Sequence, residues 1–148
     1  MNTLKKLICF ITVLILAFSF TACGNETKPA VDFPFAELNE IYDSDDTAKG
    51  DRFDENNNGR KYIVNSATVK SVSFKSTTEY DIFCYVKSGD RTFNFRLFVD
   101  TSLGDVTREY LDSLEKNDVI SFEGSFLSQT SRAHLSSFNN IKILNTES

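Results

Sequence analysis

Alternation of apolar and polar residues runs through most of the chain after residue 60 and predicts strands. The clearest case is TEYDIFCYVKSGDRTFNFRLFVD, 78–100, where two alternating runs flank Gly89–Asp90. A two-residue loop that begins with glycine suits a type II′ turn and fixes the register of a hairpin. With that loop, every facing pair on one side is apolar: Val86–Phe93, Cys84–Phe95, Ile82–Leu97 and Tyr80–Val99.

Three further segments are typical of strands: KYIVNSATVKSVSF at 61–74, VISFEGSF at 119–126 and AHLSSFNNIKIL at 133–144. The alternation of the first segment slips near Lys70–Ser71, which predicts a bulge or strong coiling there.

Two segments have helical spacing instead. Residues 35–53 carry an apolar stripe and then Gly50, which predicts one short amphipathic helix with an acidic outer face. Residues 103–116 carry a second stripe that ends near Asn117. The apolar positions of the two stripes are Phe35, Leu38, Ile41 and Tyr42, and then Val106, Tyr110, Leu111 and Leu114.

The order of these elements is helix, strand, strand, strand, helix, strand, strand. We therefore predict an all-β domain with an inserted helix: a five-stranded OB-fold-like β-barrel preceded by one N-terminal helix. The segment ENNNGRKYIVNSATVKSV, the helix at 103–116 and VISFEGSF…NNIKIL resemble bacterial lipoproteins with an OB domain of the tRNA-anticodon-binding-like (tRNA_anti-like) group. The resemblance covers about residues 36–145, and such proteins often have glycine where Ala67 stands. The group takes its name from its fold, which does not by itself imply RNA binding.

The N-terminus has the pattern of an export signal. Lys5 and Lys6 precede the apolar run LICFITVLILAFSF at 7–20, and the small pair Thr21–Ala22 precedes Cys23. This resembles a lipobox, in which the cysteine is acylated and becomes the new N-terminus. We predict a signal peptide at 1–22, lipidation of Cys23, a polar tether at 23–34 and a folded domain at 35–148. The alternative is an ordinary signal anchor with a chance cysteine.

These features predict a protein that a lipid anchors to either the cytoplasmic membrane or the outer membrane, with its domain outside the cytoplasm. Loss of Lys5 and Lys6 changes the formal charge from −5 to −7. Residues 23–59 carry ten acids and three bases, so the acidity is concentrated before the first strand. A net acidic, exported protein is poorly suited to non-specific nucleic-acid binding, which needs clustered lysine and arginine.

The most promising surface is the other side of the predicted hairpin. OB-folds bind ligands on this strand face by stacking and by charge. We predict that the face binds a flexible chain: an oligosaccharide, a peptide or a single-stranded nucleic acid. The alternatives are that Leu38 and Ile41 of the N-terminal helix cover the rings, or that the rings make only cross-strand cation–π pairs. The candidate residues are Phe83, Tyr85, Lys87, Asn94, Arg96 and Phe98.

Other patterns favour structural roles. DENNNGRKYIVN, 54–65, imitates a calcium loop but has Asn65 where the bidentate glutamate belongs, which favours a polar turn. DSDD at 43–46 is typical of a solvated face. Cys84 and His134 form a conceivable nucleophile–base pair, but Cys84 falls on the apolar side of its strand.

The sequence thus predicts no catalytic residue, metal site or cofactor. The leading interpretation is a non-catalytic binding module. The rival is a structural or accessory lipoprotein that docks a protein partner, and an enzyme is the weakest interpretation.

Overall fold

The computed structural model describes residues 28–44, 46–130 and 134–147, with side chains described as far as residue 144. Signal peptide, Cys23 and the first part of the tether lie outside the described residues. The elements in chain order are β1 Val31–Asp32, α1 Phe35–Asp43, α2 Thr47–Asn57, β2 Lys61–Phe74, β3 Glu79–Ser88, β4 Arg91–Asp100, a 3₁₀ turn Thr101–Leu103, α3 Arg108–Ser113, β5 Val119–Thr130 and β6 Leu135–Glu147.

The five long strands close into a barrel. Antiparallel pairs join β2 to β3, β3 to β4, β5 to β6 and β5 back to β2, while β4 and β6 run parallel. The α3 helix stands between β4 and β5 in the chain. This is the strand order and connectivity of an OB-fold-like barrel, so the predicted fold class is confirmed.

The β3–β4 hairpin follows the predicted register throughout, from Glu79↔Asp100 to Ser88↔Arg91. Gly89 has φ of +60°, and Asp90 is not among the described residues with positive φ, as a type II′ turn requires. The predicted bulge is also confirmed, because the register of β2 against β3 shifts between Val69 and Ser71.

A second bend in β2 lies at Ser66, next to the position where similar sequences often have glycine. The register of β2 against β5 shifts between Val64 and Ala67. Ser66 takes up this bend with φ of +54°, a conformation that is uncommon for residues other than glycine. Ala67 itself is fully buried. The two shifts let one strand pair with both β3 and β5, which closes the barrel.

The N-terminal helical region differs from the prediction of one helix, because two helices form there. The first ends at Asp43, and Ser44 N–H donates to Ile41 O at 3.2 Å. Asp46 then starts the second, since its carboxylate accepts from Ala48 N–H at 3.0 Å. Gly50, predicted as a helix end, is a buried position within α2. Side-chain capping by Asp46 was the competing signal.

The chain joins the barrel earlier than the predicted domain start at residue 35. Val31 and Asp32 pair in parallel with Tyr62 and Ile63. The Phe33 ring is 4% exposed and lies 5.3 Å from the Phe95 ring and 5.7 Å from the Phe138 ring. Phe33, predicted as tether, thus belongs to the core, and Val31 packs against it.

The helix inserted after β4 is shorter than the predicted 103–116. A 3₁₀ turn ends at Gly104, which has φ of +82°, and α3 begins only after Thr107, whose hydroxyl accepts from Tyr110 N–H at 3.2 Å. Asn117, predicted near the end of the helix, has φ of +81° in the turn before β5.

Candidate functional site

The outer face of the hairpin brings the predicted residues together in the pairs that the predicted register implies. Phe83 lies opposite Arg96, Tyr85 opposite Asn94, and Asp81 opposite Phe98. Because side chains alternate along a strand, this face is opposite the one that carries the buried core positions. The three rings on this face are partly exposed.

Arg96 is at the centre of this face. Its guanidinium carbon lies 4.4 Å from the centre of the Phe98 ring and 5.6 Å from that of Phe83. Its Nε and one terminal nitrogen donate to Asp81 Oδ2 at 3.1 and 2.6 Å. The Asp81 side chain is only 4% exposed, and Lys75 Nζ approaches the same oxygen at 3.5 Å. A buried carboxylate therefore fixes a cation between two aromatic rings.

Lys70 forms a second cation–aromatic contact on the same face. Its Nζ lies 5.1 Å from the centre of the Tyr85 ring and donates to Asn94 Oδ1 at 2.6 Å. Lys87, included in the prediction, is exposed near the hairpin loop, opposite Thr92. The sequence did not identify Lys70, because no tight turn fixes β2 against β3 as Gly89–Asp90 fixes the hairpin.

The first helix, α1, does not cover the Arg96 face. Leu38 and Ile41 belong to the buried core. The α1 rings meet the interior side of β4: Phe35 lies 5.0 Å from Phe93, and Tyr42 lies 5.9 Å from it. The α1 helix therefore packs against the interior side of the barrel. The outer rings are partly buried on the face where Arg96 and Lys70 make cation–π contacts with them.

A groove adjoins this face where β4 and β6 separate. Their parallel pairing ends at Leu97↔Phe138. Beyond that point a cavity of about 550 Å³ opens between the strands. Asn140, with φ of +50°, lies in the bulge of β6 at this point. Residues that line the groove include Lys75, Asp81, Arg96, Phe98, Leu103 and Asn139.

Within the described part of the chain, Asn139 Oδ1 is a buried side-chain oxygen that accepts no hydrogen bond. Such atoms are rare in folded proteins, because an unpaired buried acceptor raises the free energy of the fold. Leu103, on the other side of the groove, is 60% exposed. The pair Asn139–Asn140 interrupts the apolar alternation of the last strand, and this interruption was a signal of the bulge that sequence reasoning did not use.

Cys84 and His134 do not form a nucleophile–base pair. Cys84 is buried, and desolvation raises the pKa of its thiol to about 12. The His134 ring stacks on Tyr42 with 4.5 Å between ring centres. A thiol of such high pKa supplies almost no thiolate at neutral pH.

In the segment 54–65, which resembles a calcium loop, Asp54 has a structural role. Both carboxylate oxygens of Asp54 accept from Gln129 N–H, at 3.1 and 3.2 Å, which connects α2 to β5. Burial raises the pKa of this carboxyl above its usual value. Within the described ranges, no group of three or more His, Cys, Asp or Glu residues is placed to hold a metal ion. The acids at 43–46 include Asp43, which pairs with Arg91, and the cap Asp46.

Comparison with known proteins gives distant relatives. Two uncharacterized lipoproteins of Staphylococcus aureus, from strains N315 and Mu50, are each 28% identical to this chain over 141 residues, covering 84% of this chain and 54% of the relative. The chain thus spans about half the length of the curated relatives it matches. A scan against descriptions of known protein families finds no match. The similarity agrees with the predicted lipoprotein character, while the tRNA-anticodon-like group remains a resemblance. Among the described helices, none has the length and apolar character needed to cross a bilayer.

Proposed function

We propose that this protein is a lipoprotein anchored through Cys23 on the extracytoplasmic face of a membrane, and that its barrel is a non-catalytic binding module. The ligand is a flexible chain held on the outer face of β3 and β4. The observation that carries this proposal is the Arg96 guanidinium held between Phe83 and Phe98 beside the groove. Aromatic rings and fixed polar groups at the mouth of a concave surface are typical of small binding sites.

Two features support binding rather than catalysis. The buried Cys84 thiol has a raised pKa, and the cations of the face are already paired with Asp81 and Asn94. Such a fixed arrangement is pre-organised, because few side chains must be ordered when a ligand binds. The face contains Lys70, Lys75 and Arg96, but the formal charge of the whole chain is −5, which disfavours a polyanionic partner such as nucleic acid.

The rival proposal, docking of a protein partner through the acidic helices, has one observation in its favour. Between α1 and α2 lies a second depression of about 300 Å³, lined in part by Glu37, Glu40, Lys49 and Arg52. A protein that binds there leaves the Arg96 face untouched, so the location of the bound partner distinguishes the two proposals.

An amide-shift NMR titration of the full chain tests the proposal. The chain is studied in a detergent without sugar head groups, and the probes are a cell-wall oligosaccharide, an unstructured peptide and a mixed oligonucleotide. Saturable shifts at 81–87 and 92–98, without shifts at 35–57, support the binding module and identify the class of its ligand. Shifts confined to 35–57 support the rival, and no saturable shift with any probe contradicts the binding module.

The anchor is tested separately by Cys23→Ser in a cell fed labelled palmitate. We expect wild-type protein to carry the label and the variant to lack it. Label on the variant contradicts lipidation at this cysteine.

A further inference from the structure

We infer that the groove between β4 and β6 is the binding site of an uncharged oligosaccharide that carries acetamido groups. This inference rests on the proposed function and adds to it the chemical class of the ligand. Its basis is the unpaired Asn139 oxygen, the apolar side chains of Phe98 and Leu103, and the balance of charge around them.

The groove exposes strand backbone as well as side chains. In the two-residue hairpin, alternate residues of β4 point their backbone groups towards β3, and the others point towards β6. Asn94 N–H donates to His134 O at 2.8 Å, which places Asn94, Arg96 and Phe98 in the second set. Since the pairing with β6 ends at Leu97, the carbonyl of Phe98 faces the groove. A hydroxyl or an amide N–H of a ligand can donate to this oxygen.

Asn139 Oδ1 also requires a hydroxyl or an amide N–H as its hydrogen-bond donor. It is buried and accepts no hydrogen bond from any described residue, although Asn139 lines the groove. Next to it, Asn140 Nδ2 lies 3.5 Å from Ser125 Oγ, at the limit of hydrogen-bond distance. An acetamido group has one N–H donor and one carbonyl acceptor, so it matches an amide side chain better than a hydroxyl alone does.

The charges of the groove favour an uncharged ligand over a polyanion. Arg96 and Lys75 both contact the buried carboxylate of Asp81. Two more acids, Glu79 and Asp100, line the groove, so acids outnumber bases. A phosphate chain would meet no unpaired cation among these described residues, whereas sugar hydroxyls both donate and accept and suit a mixed set of groups. Phe98 and Leu103 provide apolar surface for the C–H face of a sugar ring.

Calorimetric titration of the full chain in the same detergent tests the inference with two matched probes. Chitotetraose and cellotetraose have the same backbone linkage, and the first carries acetamido groups where the second carries hydroxyls. We expect chitotetraose to bind and cellotetraose to bind about tenfold more weakly, because a single hydroxyl lacks the separate donor and acceptor of an acetamido group and matches the Asn139 amide less well.

Asn139→Ala should remove this preference. The variant should bind chitotetraose about tenfold more weakly than wild type does, with little change for cellotetraose. Its urea midpoint should not fall, since the substitution deletes an unpaired buried oxygen; a merely structural residue would show the opposite pattern. Asn65→Ala, an exposed asparagine on β2, is the matched control and should leave both affinities unchanged.

The outcomes separate this inference from the proposed function. Equal affinity for the two sugars, or an unchanged preference in Asn139→Ala, overturns the inference. Binding of peptide or oligonucleotide on the Arg96 face without binding of either sugar also overturns it, but leaves the binding module standing. If no probe of any class binds this face or the groove, both proposals are wrong.

Discussion

Arg96→Met is the substitution that most directly tests how the outer face is held together. Methionine keeps most of the apolar stem of Arg96 and removes the guanidinium. Asp81, whose side chain is 4% exposed, then keeps only Lys75 as a cationic neighbour, at 3.5 Å. Removal of one partner of a buried ion pair destabilises a fold strongly, because the remaining charge has lost both water and its partner.

The size of the effect follows from the contacts. The two hydrogen bonds from Arg96 to one charged oxygen contribute about 1.5–3 kcal/mol together, and each cation–π contact adds about 0.5 kcal/mol at such a partly exposed position. With partial compensation by Lys75, we expect the free energy of unfolding to fall by about 3 kcal/mol. Urea unfolding followed by far-UV circular dichroism measures this change.

Arg108→Met is the matched control. Arg108 also pairs with an aspartate, at 3.4 Å from Asp112, and lies 5.8 Å from the Phe74 ring. Both partners of its ion pair are more than half exposed, so its loss should cost no more than about 0.5 kcal/mol. If Arg96→Met is no more destabilising than Arg108→Met, the ion pair with Asp81 does not stabilise this face and the reasoning is wrong.

Three further predictions concern the barrel. Ser66→Gly should raise the free energy of unfolding, measured by urea unfolding, by about 0.5–1 kcal/mol, because φ of +54° suits glycine better than serine. A loss of stability would contradict the inference that the backbone is strained at Ser66. Gly124→Ala should lower the free energy of unfolding by about 1–3 kcal/mol in the same assay, since a Cβ there would lie 2.7 Å from Ile141 Cδ1 and 3.3 Å from Phe138 Cβ, which is attached to the backbone and cannot turn away; an unchanged midpoint contradicts this close approach. Burial raises the pKa of both Cys84 and Tyr42 to about 12, whereas the unfolded pKa values are about 9 and 10. The free energy of unfolding that these two protonated groups contribute is therefore fully present below the unfolded pKa values. It is lost as the pH rises towards 12, because the unfolded chain releases these protons more readily than the folded chain does. Urea midpoints should fall across this window, less steeply in Tyr42→Phe, and an equal slope in that variant contradicts the assignment to Tyr42.

The sequence predicted most of the barrel because local signals agreed with the tertiary fold. Gly89–Asp90 fixed the hairpin register, and the slip at Lys70–Ser71 marked a bulge that the structure confirms. The division of the N-terminal helical region into two helices was harder to predict, because the apolar stripe of α1 continues into the segment that forms α2. The extended cap at Ser44 and the capping carboxylate of Asp46 separate α1 from α2.

The candidate site was predicted only where it depends on the hairpin. Phe83, Arg96 and Phe98 share a face because strand alternation requires it. The groove depends on where two strands distant in the chain separate, and no local pattern specifies that point. Asn139 and Leu103 therefore emerged only from the tertiary structure.

Saturation transfer from a bound ligand to the perdeuterated full chain tests the central proposal most directly, because it reports contact rather than an indirect change of environment. With the probe that gives saturable amide shifts, we predict intensity losses at Phe83, Tyr85, Arg96 and Phe98, extending to Asn139. Losses confined to α1 and α2 would contradict the account and assign the binding role to the helices.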